Sequence, residues 1–253
     1  MATESVGPVV VGVDGSPGSL AALELAADEA TARVTPLVVV CAEERDIAVA
    51  RALAEHPALA VTGHLVVGDP VEAILAASRG ADLVVLGPRR PDRSAPSVER
   101  RLLHQVRVPV IVYRPFDAPA EEELPRPVLL GLVGPPSDDV VAFAFAEASL
   151  RGAALHALTF DGASDGGGDG DGVGSGDAAD PLAAWAEKYP DVALSQAVRR
   201  GVDAAVALTA ASRSAQLVVV GAGGVVNALA HRAGCPVAVV PAPAVQPGIG
   251  GVT

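Results

Sequence analysis

Aromatic residues make up only 3% of this 253-residue chain, and Lys188 is its single lysine. With so few rings the interior must be built from Val, Ala and Leu, which suits parallel strands covered by helices on both faces. Cysteine is scarce as well. Cys41 and Cys235 stand far apart beside strand-like runs, so neither a structural disulfide nor a metal-ligating spacing is expected. Positive charge is in deficit, with 18 Lys and Arg against 30 Asp and Glu and a net charge of −12. That balance speaks against nucleic acid or an anionic membrane surface as a partner. No apolar run reaches the roughly 20 residues that span a bilayer, and the first residues form no basic-then-apolar leader. A cytoplasmic protein is the expectation.

What the chain does have is a repeat. An apolar strand ending in Gly12-Val13-Asp14-Gly15-Ser16 opens the first half, and Leu130-Gly131-Leu132-Val133-Gly134 opens the second. Each half then reaches a Leu-Val-Val-x-Gly run, ending at Gly87 and Gly221. Each closes on a strand entered through proline, Pro109 and Pro236. Two copies of one unit are implied, and their differences can be read without an alignment.

In the first half, short β-branched runs predict strands near 8–14, 36–41, 59–67, 82–86 and 109–113, with helices near 17–33, 44–55, 69–79 and 97–105. Ser16-Pro17 and Asp69-Pro70 have the form of helix caps followed by first-turn prolines. The second half predicts strands near 127–133, 154–160, 191–199, 216–220 and 236–240, and helices near 137–151, 181–188, 201–213 and 222–232. Strands alternating with helices imply parallel sheets with right-handed crossovers. The expected domains are 1–115 and 128–243. A Pro- and Glu-rich linker at 116–127 joins them, and a tail follows at 244–253. Residues 161–180, almost wholly Gly, Asp, Ala and Ser, are too poor in apolar groups to form a core and read as a disordered acidic insertion. The Gly162-x-Ser164-x-Gly166 match and the calcium-loop-like aspartates inside it lack the structural setting either motif needs.

The segments GVDGSPGS, GDPVEAIL, ADLVVLG and VPVIV, in this order, resemble the universal stress protein family, and the resemblance covers both halves. It implies an α/β fold of two tandem five-stranded parallel-sheet domains, Rossmann-like or flavodoxin-like, with strand order 3-2-1-4-5. It further implies an internal pseudo-dimer in which 110–113 pairs with 237–240, which would also remove two exposed sheet edges. ATP-binding members carry an Asp after the first strand and a G-x2-G-x9-G-[ST] loop after the fourth. Asp14, Gly87 and Ser97 match that pattern, and Cys41 falls where main chain commonly meets adenine. Arg90 replaces the second glycine, Pro96 the third, and the spacer between them holds five residues instead of nine. Proline lacks an N–H and arginine cannot lie against phosphate as glycine does, so the loop is expected not to cradle a triphosphate in the family's way. In the second half Val133 takes the aspartate's place, and residues 221–224 run straight into a helix.

Arginines crowd one stretch, at 89, 90, 93, 100, 101, 107 and 114. Arg89 and Arg90 could clamp an anion in an altered loop, whereas a solvated helix face is the plainer reading. The five histidines are scattered; His104 and His231 lie at nearby, though not identical, positions in the last helix of each half. No nucleophile has a base at hand. The expected function is therefore a non-catalytic, stress-response regulatory or binding module. Its nucleotide site would be degenerate in the first half, at Asp14, Cys41, Gly87, Arg89, Arg90 and Ser97, and lacking in the second. No cofactor or metal is expected. The alternative is an ATP-binding member with weak ATPase activity that takes ATP or AMP with Mg2+. A protein partner or a homodimer would fit either reading.

Overall fold

The strand-forming runs are β-branched, and α1, α3 and α7 start where capping residues stand. The computed structural model, which describes residues 6–41, 45–88, 98–116, 126–134, 137–161 and 182–242, places both accordingly. The first half contains β1 (Val9–Val13), α1 (Pro17–Ala32), β2 (Leu37–Cys41), α2 (Arg45–Glu55), β3 (Val61–Leu65), α3 (Pro70–Ala77), β4 (Leu83–Leu86), α4 (Val98–Leu103) and β5 (Val110–Val112). The second contains β6 (Val128–Val133), α5 (Asp138–Leu150), β7 (Leu155–Asp161), α6 (Ala183–Lys188), β8 (Leu194–Arg200), α7 (Ala204–Ala211), β9 (Leu217–Gly221), α8 (Val226–Arg232) and β10 (Val237–Val240). Local chemistry sets the helix starts. Ser16 accepts the Ser19 N–H at 3.2 Å, Asp69 the Val71 N–H at 3.0 Å and Asp203 the Val206 N–H at 2.9 Å. Each such cap contributes about 1 kcal/mol.

The strands form one sheet of ten, in the order β3-β2-β1-β4-β5-β10-β9-β6-β7-β8. Each half keeps the expected internal 3-2-1-4-5 order, and the expected pairing of the two fifth strands joins them into this single sheet in place of two distinct five-stranded domains. The reason is the shortness and burial of β5 and β10. Left as edges, these apolar strands would expose unpaired backbone; instead they pair antiparallel, Val112 opposite Val237 and Val110 opposite Val239. Tyr113 is outside the ladder and donates its N–H to the Leu86 carbonyl at 2.8 Å. The insertion 161–180, the linker 116–127 and the tail 244–253 fall almost wholly outside the described residues.

The two faces of this seam differ. Ile111 and Ala238 face α1 and α5, where one apolar core runs without interruption through both halves. Val110 and Val112 face the other way, into a cluster with Ile74 and Leu102. Val237 and Val239 join a separate cluster with Leu208 and Leu229. Glycine in the central strand of each half lets a helix settle onto it. A Cβ on Gly12 would stand 2.9 Å from Ile74 Cδ1 in α3, and one on Gly131 would stand 2.8 Å from Leu208 Cδ1 in α7.

On the fused face, four buried charges form a ring between the last turns of α1 and α5. Arg33 binds Glu29 of its own helix and Glu147 of the other; Arg151 binds Glu147 of its own helix and Glu29 of the other. Each arginine also donates to the carbonyl of its own glutamate at 3.3 Å. The glutamate side chains are only 5% and 2% exposed. Burial works against every charge here. It lifts the Glu147 carboxyl above its usual range, and the Arg151 and Arg33 guanidiniums pull it back. Desolvation likewise opposes the Arg33 charge, but Glu147 and Glu29 outweigh it and hold that guanidinium above its usual value.

Glu147→Ala leaves two buried guanidiniums short of a partner and is expected to cost about 3–5 kcal/mol in urea unfolding. Combined with Arg33→Ala, the loss should fall short of the two single losses added, by about 1 kcal/mol or more. Strict additivity would show that the ring does not couple the halves.

Candidate functional site

In an open α/β sheet, ligands sit beyond the carboxyl ends of the strands where strand order reverses. In the first half that point lies between β1 and β4. Three of the residues expected there are brought together. Val13, just before Asp14, is opposite Cys41 on β2, and Gly12 is opposite Leu86, just before Gly87. Arg89, Arg90 and Ser97 lie outside the described residues, as does Pro96.

The turn after β1 is held by its own side chains. Gly15 takes a left-handed conformation, φ 75°, which suits a residue without Cβ. Asp14 Oδ1 accepts the Ser16 N–H at 3.0 Å and the Ser16 hydroxyl at 2.5 Å. The Asp14 N–H donates to Ser19 Oγ at 3.2 Å, and that hydroxyl donates to the Ser16 carbonyl at 3.0 Å. Asp14 remains exposed, yet one carboxylate oxygen is already engaged in shaping the entry to α1.

Gly87 has a packing role. A Cβ there would stand 2.9 Å from Ser19 Cα and 3.1 Å from the Gly18 carbonyl carbon, both backbone atoms of α1's first turn. Gly18 is pressed in the same way, 2.6 Å from Pro88 Cγ if it carried a Cβ. Cys41 points into the core, with Sγ 3.5 Å from the His64 carbonyl. Its own carbonyl accepts the Val66 N–H at 2.7 Å, so this oxygen is committed to the β2–β3 junction.

The arginine cluster separates into different roles. Arg101 Nη1 donates to Asp69 Oδ1 at 3.1 Å, joining α4 to the cap of α3, and this bond, with the Val71 N–H, holds the Asp69 carboxyl below its usual range. Arg114 follows β5; burial lowers its pKa, and the charge of Glu99 offsets part of that. Among the described residues its Nε and Nη2 are buried without a hydrogen-bond partner. Arg100 faces a groove across the seam.

In the second half the equivalent position is a hollow of about 180 Å³ beyond β6 and β9. Gly131, Val133, Ser137 and residues 221–224 line it, and among the described residues no ionisable side chain does. Gly134 repeats the left-handed turn of Gly15, φ 84°, but Ser137 makes no side-chain cap. The sequence had not pointed to a hollow here, because its walls are valines and turn glycines. Since β5 and β10 run antiparallel, the carboxyl ends of the two halves point in opposite directions, and the two positions cannot merge. Among the described residues no cluster of three or more His, Cys, Asp or Glu is placed to hold a metal ion, and no helix is long and apolar enough to cross a membrane.

Residues 40–114 match the model of the universal stress protein family. Universal stress protein Rv2005c of Mycobacterium tuberculosis is 33% identical over 91% of this chain and 96% of its own length. The chain belongs to the universal stress protein family. A second M. tuberculosis universal stress protein, Rv2623, is 30% identical over 85% of this chain and 86% of its own. The crystal structure of a universal stress protein from Archaeoglobus fulgidus superposes with a TM-score of 0.64 at 18% identity, covering 92% of this chain and 98% of that one. The universal stress protein fold thus extends over both halves, Rossmann-like in each.

Gly87→Ala is expected to destabilise the ligand-free protein by about 1–3 kcal/mol, because backbone atoms of α1 would have to move. Thermal unfolding without nucleotide checks it. An unchanged melting temperature would return Gly87 to a role in the loop alone.

Proposed function

We propose that this universal stress protein works as a non-catalytic, stress-linked regulatory or binding module, with an altered nucleotide position in the first half and none in the second. In this reading 1–115 and 128–243 are the two units of a cytoplasmic pseudo-dimer, and the module's output passes through a protein partner. The observation that carries it is the packing of Gly87 and Pro88 onto α1's first turn. The glycine that would open a phosphate loop is spent on holding a helix against the sheet. Pro88, which follows it, has no N–H to offer a phosphate. The second half supports the same conclusion. Its hollow of about 180 Å³ is smaller than the roughly 300–1,000 Å³ of usual small-molecule sites, and Val133 supplies no charge for a ribose.

Calorimetric titration with ATP and with AMP, each with Mg2+, tests this. Affinity of about 1 mM or weaker is expected, near 4 kcal/mol of binding free energy. Low-micromolar affinity abolished by Asp14→Ala would overturn the reading and establish the altered loop as a working ATP site.

A further inference from the structure

The two helices that carry the buried ring end in the same way. Arg33, Val34 and Thr35 after α1 correspond to Arg151, Gly152 and Ala153 after α5. The Arg33 N–H donates to the Glu29 carbonyl at 3.1 Å, the Val34 N–H to that of Thr31 at 3.1 Å and the Thr35 N–H to that of Ala30 at 2.9 Å. Their counterparts donate to Glu147 at 3.2 Å, Ser149 at 3.0 Å and Ala148 at 2.9 Å. The middle residue closes each turn in the left-handed conformation, Val34 at φ 53° and Gly152 at φ 57°. Hydrogen bonding and backbone path are matched, and the residue at the joint is what differs.

Glycine suits that joint and valine does not. A left-handed backbone presses Cβ against the following carbonyl, and branching at Cβ makes the crowding worse. Among the described residues Val34 is the one non-glycine with a positive φ. Its side chain gains no packing in return, being 90% exposed. The conformation persists because the chain is pinned on both sides of it. Upstream, Glu29 and Glu147 hold Arg33 in the ring. Downstream, Thr35 is buried and its hydroxyl donates to the Gly7 carbonyl at 2.6 Å, while the Pro36 carbonyl accepts the Val9 N–H at 2.9 Å. Strain held between two fixed points is relieved when either gives way. The ring side gives first, because it belongs to a helix end and the other side to a central strand.

We propose that Val34 makes the end of α1 the release point of the clasp between the halves: the last turn of α1 lets go of the ring before that of α5, although the same four charges hold both. Opening there withdraws Glu29 and Arg33 and leaves Glu147 with Arg151 on α5. The helix that lets go is also the one whose first turn packs on Gly87 and Pro88. A shift at the strand ends of the first half and a loosening of the seam therefore act on one 16-residue helix. The release point is independent of nucleotide binding, since its test reads the turn itself.

Amide hydrogen exchange of the full-length protein, followed residue by residue by NMR and corrected for intrinsic rates, measures how often each turn opens. Thr35 and Ala153 are the matched probes, both buried and both bonded at 2.9 Å. Thr35 should exchange about tenfold faster, equivalent to about 1.4 kcal/mol of strain. The ratio of the two rates cancels any change in global stability. Val34→Gly should bring that ratio to about one, and Val34→Gly combined with Gly152→Val should invert it. If the double variant does not fold, Val34→Gly alone decides. Equal protection of the two turns in the unaltered protein would overturn the proposal. So would a ratio that Val34→Gly leaves unchanged, or a folded double variant in which Thr35 is still the faster.

Discussion

The buried ring of Glu29, Arg33, Glu147 and Arg151 is the constraint on which the arrangement of the two halves depends. The β5–β10 ladder joins them through only three residue pairs, and backbone hydrogen bonds contribute about 1 kcal/mol each. So short a ladder would tolerate slippage. The ring does not tolerate it, because each arginine binds one glutamate in its own helix and one in the other. Either half alone would leave each of its charges with one of its two partners. Buried ion pairs add little net stability over well-packed apolar groups; what this one imposes is a single register between α1 and α5, and with it the alignment of Ile111 against Ala238.

A fused face and a split face follow from that alignment. The long helices α1 and α5 share one apolar core, whereas α4 and α8, six and seven residues long, leave the seam between them open. Repetition makes the consequences symmetric at first. Gly12 and Gly131 each receive a helix side chain, and Gly15 and Gly134 each take a left-handed turn. The repeats separate where a ligand would be held. Asp14 in the first half stands as Val133 in the second, and no strand or helix had to be lost for that change.

Most of the framework was legible in the sequence because buried parallel strands are short β-branched runs and helices of the first half announce themselves with Ser16-Pro17 and Asp69-Pro70. Boundaries were less so: the strand read near 59–67 is Val61–Leu65, and the helix read near 201–213 is Ala204–Ala211. The site was only partly legible. Asp14, Cys41 and Gly87 do converge, but a motif cannot say whether a glycine yields to phosphate or to a neighbouring helix, and Gly87 yields to Ser19 and Gly18. The ring was invisible. Glu29 with Arg33, and Glu147 with Arg151, read as ordinary surface pairs four residues apart on a helix. Only the fold reveals that partners more than a hundred positions distant complete them.

An antiparallel seam also settles how such a duplicated chain can divide its work. The strand carboxyl ends of the two halves point in opposite directions, so a change at Val133 or in the 221–224 turn cannot compensate for one at Asp14 or Pro88. Each end is free to drift on its own.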